Sequence, residues 1–306
     1  MEVGRERAAV RDYIDFHSQC FLEATPPVRG ARPFCTPDEL LRKYDRIGVA
    51  RGCLCPEVSP EANFLRQSNE EVLEICRRHP DRLVPFCNVD PRSCFNTAEA
   101  DFDFVLEHYR ELGCVAIGEM LAHVRFDDPR LRNLFAAAER QGLPVIFHMA
   151  PFRNHFYGLI DEKGMPGLER ALRDFPQLVI VGHSESFWAE IGEYEGVQPR
   201  LGYPTGPIRE GRVAQLMRRY PNLHAELSAG SAYNALTRDP AYAVKFVNEF
   251  ADRLYLALDI SGPDDAVTRM PQLLEQMRDD GKLPPEKFAK IMRTNAERFT
   301  GGGRHA

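Results

Sequence analysis

Five ionisable side chains stand where short apolar stretches of the sequence end, and together they could bind a metal. They are His17, Glu119, His148, His183 and Asp259. A lone histidine at a strand end is more often a core residue, but this many ionisable groups could share one place only if they paired or bound a cation. Imidazole and carboxylate together suit Zn²⁺, Mn²⁺ or Fe²⁺, whereas an all-oxygen set would indicate Mg²⁺ or Ca²⁺. The sequence therefore predicts a divalent metal centre.

The elements that must position these side chains alternate regularly along the chain. Eight short apolar runs predict strands, and each is followed by a segment with helical periodicity. The predicted strands span 13–17, 49–55, 83–89, 114–120, 144–150, 178–184, 223–229 and 253–261. Such a series of units within about 250 residues predicts an α/β fold, the (β/α)8 TIM barrel, here with extra C-terminal helices. An open doubly wound sheet is the alternative, but no G-x-G-x-x-G follows the first predicted strand.

In such barrels, active sites form at the C-terminal ends of the strands, where all five side chains stand. In an alternating strand the residue two positions earlier shares the inward face, so we expect Asp15 to face the barrel mouth with His17. We expect His224, which opens the seventh predicted strand, to lie at the opposite end in a structural role. Glu226 and Ser228 follow it and could orient a ligand histidine.

Composition narrows the range of partners. The 306 residues include 39 Lys and Arg and 45 Asp and Glu without long runs, so no basic face for nucleic acid is predicted. The sequence has no signal-peptide core and no run of about eighteen apolar residues, so we expect no membrane segment and a cytoplasmic location. We expect a single domain over 1–300, a disordered tail over 301–306 and a small-molecule substrate.

All eight cysteines lie within the first 114 residues, many of them inside apolar runs. Disulfide scaffolds are usually short and secreted, so we expect reduced and mostly buried thiols. Cys53 and Cys55 are too close together for a zinc ribbon, and no second pair completes one.

Two long segments between predicted elements, 150–165 and 185–211, are candidate substrate-binding loops. The first carries Arg153 and His155, which could bind a substrate carboxylate. The second carries the single tryptophan, Trp188, which could wall an aromatic or cyclic substrate. Aromatic residues of long loops also pack lids or dimer contacts, and single arginines are more often solvated.

The motifs IDFHS, GEM, VIFHMA, VGHSESFW and LALDISGP occur in this order on successive predicted strands. They resemble the amidohydrolase superfamily, specifically its amidohydrolase-related branch of metal-dependent hydrolases, lactonases and decarboxylases, and the resemblance covers essentially the whole chain. It implies that His17, His148 and Asp259 bind the catalytic metal. His183 would be the acid–base residue or the ligand of a second metal. Glu119 would bridge two metals or support one.

One residue departs from the family pattern. The family usually has H-x-H at the end of the first strand, whereas this chain reads HSQ from His17. A glutamine amide is a poor, neutral oxygen donor beside imidazole. Some decarboxylases of this branch use an acid two residues before the first histidine, and Asp15 stands there. The resemblance thus implies that Asp15, His17, His148 and Asp259 hold one metal, with Gln19 oriented toward substrate or water.

The resemblance implies a metal-dependent hydrolase that attacks a small amide, lactone or ester with a metal-activated water. Asp259 would take the proton from the water, and His183 would stabilise the oxyanion or protonate the leaving group. The alternative is a metal-dependent nonoxidative decarboxylase of an aromatic or unsaturated carboxylic acid, and a noncatalytic binding protein ranks third. The expected cofactor is Zn²⁺, with Mn²⁺ as the alternative, and a homodimer is the expected assembly.

Overall fold

The computed structural model describes residues 12–152, 156–266 and 269–301. Within these ranges all the predicted strands are present, and most are shorter than the apolar runs that predict them. The strands are β1 Tyr13–Ser18, β2 Val49–Leu54, β3 Leu83–Pro85, β4 Ile117–Met120, β5 Val145–Ala150, β6 Leu159–Ile160, β7 Ile180–His183, β8 Leu223–Glu226 and β9 Leu254–Tyr255. The short β6 is an addition that pairs with the end of β5.

The strands run parallel and close into a barrel. They pair in the orders β1-β2-β3 and β4-β5-β7-β8-β9. A bridge between Cys87 and Ile117 joins the first group to the second, and a bridge between Ser18 and Ile260 joins β1 to the segment after β9. The amide of Phe16 also donates to the carbonyl of Leu256 at 2.9 Å. The predicted TIM barrel is thus confirmed.

Helices surround the barrel and show ordinary sequence signals at their ends. In α1, Thr36 and Glu39 form a capping box, and Gly48 ends the helix with a left-handed φ of 88°. The helices are α1 Pro37–Ile47, α2 Asn69–Arg78, α3 Ser93–Asn96, α4 Phe102–Glu111, α5 Pro129–Gln141, α6 Pro166–Asp174, α7 Glu185–Ala189, α8 Arg212–Arg219, α9 Ala229–Thr237, α10 Pro240–Phe250, α11 Met270–Asp279, α12 Pro285–Ala289 and α13 Asn295–Thr300. A π-helical turn, Lys290–Thr294, joins α12 to α13.

Apolar side chains fill the barrel interior beneath the predicted site. Ile146, Val181 and Ala257 are fully buried there. Each stands two residues before one of the predicted polar side chains, so alternation along these three strands brings that polar residue to the next layer up. At the end where the strands begin, the ring of Phe299 in α13 packs against Phe16 and Tyr255 at centroid distances of 6.0 and 6.1 Å. The extra C-terminal helices therefore close the bottom of the barrel.

His224 lies near this closed end, as predicted, and is held as a neutral imidazole. Its Nδ1 stands 2.5 Å from the hydroxyl of Tyr255. Burial, assisted by the positive charges of Arg253 and Arg298, lowers the pKa of His224 from 6.5 to about 3. The imidazole of His224 binds a proton more readily in the unfolded chain than in the folded one. The folded state therefore keeps its full stability above pH 6.5 and loses stability as the pH falls toward 3.

Replacing His224 with glutamine is expected to flatten the acid limb of the stability curve. Below pH 6.5, protonation of His224 in the unfolded chain should lower the free energy of unfolding of the wild type by about 1.4 kcal/mol per pH unit. The variant has no group that titrates at this position, so it does not show this loss. Urea unfolding between neutral pH and about pH 4.5 measures the slope. The matched control His108→Gln, at an exposed position on α4, should keep the wild-type slope. Parallel curves for His224→Gln and the wild type would contradict this assignment.

Three further expectations concern the chain as a whole. All eight cysteines are unpaired in the structure, and all except the exposed Cys94 are buried, which confirms the burial expected from the sequence. No helix among the described residues is long and apolar enough to cross a membrane. The predicted tail over 301–306 lies outside the described residues from position 302 onward.

Candidate metal centre

A cavity of about 250 Å³ opens at the C-terminal ends of the strands. Five of the predicted site residues line it, namely Gln19, Glu119, His148, His183 and Asp259. His17 lies at the cavity floor, with its side chain fully buried and in contact with Glu119 and Asp259. The strand ends therefore bring these six side chains together in one place.

Glu119, at the end of β4, is the centre of this group. Its Oε1 lies 2.8 Å from Nδ1 of His148 and 3.3 Å from Nε2 of His183. Its Oε2 lies 3.5 Å from Nε2 of His17. One carboxylate thus contacts imidazoles from three strands, which matches the bridging or supporting position that the resemblance implies.

Asp259 lies near two of these imidazoles, those of His17 and His183. Its Oδ1 lies 3.8 Å from Nε2 of His17, and its Oδ2 lies 3.9 Å from Nε2 of His183. Two ligands of one tetrahedral ion, with bonds of about 2.1 Å, stand about 3.4 Å apart. The four distances between these imidazole nitrogens and carboxylate oxygens, 3.3 to 3.9 Å, are of that order.

The state of His17 supports the same conclusion. Its side chain is fully buried, yet neither ring nitrogen makes a hydrogen bond among the described residues. The nearest carboxylate oxygen to each nitrogen, from Glu119 and from Glu226, lies 3.5 Å away, and a cation bound by Nε2 would satisfy that nitrogen. Two groups of described side chains are close enough to hold an ion, His17 with His183 and Glu226, and Glu119 with His148 and His183. The donor types and spacing fit a divalent metal.

Glu226, at the end of β8, supports the histidines from below. Its side chain is fully buried, and its Oε1 contacts Nδ1 of His183 and lies 3.5 Å from Nδ1 of His17. The hydroxyl of Ser228 donates to the same Oε1 at 2.8 Å. Because a carboxylate at Nδ1 fixes the proton there, Nε2 of each ring is left free to face Glu119 and Asp259.

Charge in the centre is balanced between imidazoles and carboxylates. Burial opposes ionisation of His183, but the charges of Glu226 and Glu119 outweigh it and raise the pKa of His183 to about 9. Burial likewise opposes ionisation of Glu226, but His183 and His17 lower its pKa to about 2. For Asp259, burial prevails over the histidines and raises the pKa to about 6. A bound cation would take the place of protons that the histidines otherwise hold.

Replacing Glu226 with alanine is expected to weaken metal binding about 10- to 100-fold, because both histidines lose the carboxylate beside Nδ1. Glu226→Gln keeps an acceptor oxygen and should recover part of the affinity. Calorimetric titration of metal-free protein with Mn²⁺ gives the three dissociation constants. The idea fails if Glu226→Ala binds Mn²⁺ within about threefold of the wild type.

Three non-glycine residues that follow strand ends at the cavity have a left-handed backbone. Ser184, Ala229 and Asp259 have positive φ angles of 99°, 54° and 51°. Each follows the end of a barrel strand, and Ala229 and Asp259 line the cavity. Non-glycine residues rarely adopt this conformation, and where they do they often belong to functional sites. At Asp259 the turn is secured by its amide, which donates to the carbonyl of His17 at 2.7 Å.

Asp15 does not reach the centre, contrary to the prediction that it is a ligand. Its fully buried carboxylate accepts hydrogen bonds from the hydroxyls of Ser18 and Tyr44 and from two backbone amides, those of His17 and Leu258. The pairing of β1 with β2 shifts register on both sides of this position. A bulge breaks the alternation, so Asp15 points toward α1 instead of sharing the face of His17.

Trp188 also lies elsewhere than predicted. Its side chain is almost fully buried and packs against Phe187 and Phe246, with ring centroids 5.3 and 6.0 Å away. Helix α7 begins directly after β7, capped by the hydroxyl of Ser184, and this turns the indole toward α10. Trp188 is therefore a core residue outside the cavity lining. Arg153 and His155, the other predicted loop residues, lie outside the described residues.

Glu57 also lines the cavity, although the sequence pattern does not predict it there. It follows β2 by three positions, is 5% exposed, and its Oε2 makes no hydrogen bond. Burial and the nearby charge of Glu119 raise the pKa of Glu57 to about 8. An acidic residue just after a barrel strand was the available signal, but Glu57 lies beyond the strand end, where alternation no longer predicts a direction.

Comparisons with known proteins agree with the barrel fold. The Amidohydrolase family matches residues 15–301. An uncharacterized TIM-barrel protein from Bordetella bronchiseptica is 21% identical with a TM-score of 0.59, and the match covers 94% of this chain and 98% of that one. No curated protein matches the sequence.

Two further solved structures carry functional descriptions. A 5-carboxyvanillate decarboxylase from Novosphingobium aromaticivorans, complexed with manganese and 4-hydroxy-3-methoxy-5-nitrobenzoic acid, is 16% identical (TM-score 0.61, covering 94% of this chain and 95% of that one). A probable 2-pyrone-4,6-dicarboxylic acid hydrolase from Acinetobacter baumannii, with citric acid bound, is 14% identical (TM-score 0.57, covering 95% and 100%). Both reactions predicted from the sequence occur among these structures. The family match confirms the predicted class of enzyme: the chain belongs to the amidohydrolase family.

Proposed function

We propose that the protein is a metal-dependent hydrolase of a small carbonyl compound, an amide, lactone or ester. The observation that carries this proposal is the convergence of Glu119, His183 and Asp259 on the fully buried imidazole of His17, whose ring nitrogens make no hydrogen bond among the described residues. His17, Glu119, His148 and Asp259 would hold the ion, which leaves Nε2 of His183 for acid–base chemistry. Zn²⁺ is the first candidate because of the mixed imidazole and carboxylate donors, and Mn²⁺ is the second.

A bound divalent ion would activate water and polarise a carbonyl group. Asp259 lines the cavity beside the ion site and would accept the proton of the attacking water. His183, whose Nε2 faces Asp259, would stabilise the developing oxyanion or donate a proton to the leaving group. Gln19 lines the same cavity, and its amide would hydrogen-bond substrate or water.

Decarboxylation is the second candidate, supported by the manganese-containing decarboxylase among the similar structures. The cavity favours hydrolysis, because none of the described lining residues is an arginine or lysine that could hold a substrate carboxylate. Arg32 and Arg125 lie outside the lining and pair with Glu39 and with Asp127 and Glu162.

The test is a paired screen of protein loaded with Zn²⁺ or Mn²⁺. One arm follows hydrolysis of small lactones, esters and amides, and the other follows CO2 release from hydroxylated aromatic acids. We expect turnover in the first arm only, abolished by a chelator and restored by metal. CO2 release without hydrolysis would overturn the proposal in favour of a decarboxylase.

A further inference from the structure

One wall of the cavity carries a carboxylate whose interactions the proposed mechanism does not use. The side chain of Glu57 is 5% exposed and lines the cavity, and its Oε2 has no hydrogen-bond partner among the described residues. Its backbone carbonyl is occupied by the amide of Gln67 at 2.7 Å, which fixes the position of the chain there. A buried carboxyl oxygen that faces an open cavity without a protein partner is available to a ligand or to water.

A second carboxylate, that of Glu185, lines the same cavity near its opening. The side chain is 40% exposed, and its Oε2 lies 3.9 Å from Nε2 of His148. Tyr157 lines the same cavity, where burial and then the surrounding carboxylates raise the pKa of its hydroxyl. The ring of Tyr157 packs on His148 at 4.5 Å, so this part of the cavity borders the metal centre.

The charge of the lining is unbalanced beyond the metal centre. A divalent ion would be offset by the carboxylates of Glu119, Asp259 and Glu226, and the acids Glu57 and Glu185 would then remain. The described lining residues offer no lysine or arginine to neutralise them. A cationic group on the substrate would favour the ionised form of Glu57, whose pKa burial and the charge of Glu119 raise to about 8, and it would meet the charge of Glu185. An anionic group would be repelled by Glu185.

We propose that the substrate carries a protonated amine or similar cationic nitrogen group, which binds to Glu57 and Glu185 while its reacting carbonyl faces the metal centre. This inference rests on the proposed function, because it places the carbonyl at that centre. The expected substrates are amino-substituted amides, lactones or esters. A cavity that binds a dicarboxylate would have the opposite charge preference.

The experiment uses three matched hydroxamates, whose metal-chelating end serves as a common anchor. They are 4-aminobutanehydroxamate, the uncharged pentanehydroxamate and the anionic glutaric monohydroxamate. Calorimetric titration of Mn²⁺-loaded protein at neutral pH measures each dissociation constant. We expect the cationic probe to bind about tenfold more tightly than the uncharged one, and the anionic probe to bind most weakly.

Two variants test whether Glu57 causes the preference for the cationic probe. Glu57→Gln should reduce the ratio between the cationic and uncharged probes to below about threefold, with little change for pentanehydroxamate. The control Glu107→Gln removes the same charge from an exposed position on α4 and should keep the wild-type ratio. An anionic probe that binds best, or an unchanged ratio in Glu57→Gln, would overturn the inference while leaving the metal centre intact. Failure of pentanehydroxamate itself to bind would instead show that the proposed function is wrong, and the inference would fall with it.

Discussion

Replacing His17 with alanine is expected to lower metal affinity by at least about 10³-fold and to abolish turnover on any substrate of the wild type. His17 is the buried imidazole whose Nε2 faces both Glu119 and Asp259, and no other described side chain occupies that position. Elemental analysis of purified protein, followed by titration of the metal-free form with Mn²⁺, measures the effect.

The matched control for this variant is His108→Ala, which removes an imidazole from the exposed face of α4. It should retain wild-type metal content. Far-UV circular dichroism of the metal-free proteins establishes that His17→Ala keeps the fold. A folded His17→Ala protein with full metal content would show that the ion, if one binds, is held elsewhere.

The second large effect is expected for Asp259→Asn. The amide keeps the size of the side chain and an oxygen donor, but it cannot accept a proton from water. We expect kcat to fall by about 10³-fold at saturating Mn²⁺, while the variant still takes up the metal. Steady-state kinetics on the substrate found by the paired screen, together with metal analysis, measures both quantities.

Asp264→Asn is the control for that variant, because it makes the same change at an exposed position five residues away. It should leave kcat within about twofold of the wild type. If Asp259→Asn loses metal and activity in parallel, Asp259 acts only as a ligand. If it keeps full activity, the proton acceptor is another residue.

The barrel and most of the centre could be predicted from the sequence because both depend on simple periodicity. His148, His183 and Asp259 each follow an interior residue by two positions, so counting along a regular strand places them at the mouth. Parallel strands of a barrel then bring their C-terminal ends together irrespective of the loops. On β4 the same count points to Glu119, but Ile117 packs outside the barrel, and a register shift between Ile117 and Met120 accompanies the placement of Glu119 at the mouth.

Asp15 shows where periodicity stops being informative. The sequence around it alternates like any strand, but the register shifts in β1 turn the carboxylate toward Ser18 and Tyr44. A bulge depends on how two strands pair, and a single strand's sequence does not record that pairing. For Trp188, loop length indicated a binding segment, whereas the direction of the ring depended on a helix that starts immediately after β7.

We expect at least one divalent ion to bind among His17, Glu119, His183 and Asp259. Anomalous diffraction from crystals grown with Mn²⁺ tests it most directly. We expect an anomalous peak in the space enclosed by these four side chains. Crystals of metal-saturated protein that show no peak there, or a peak only at another place on the molecule, would contradict it.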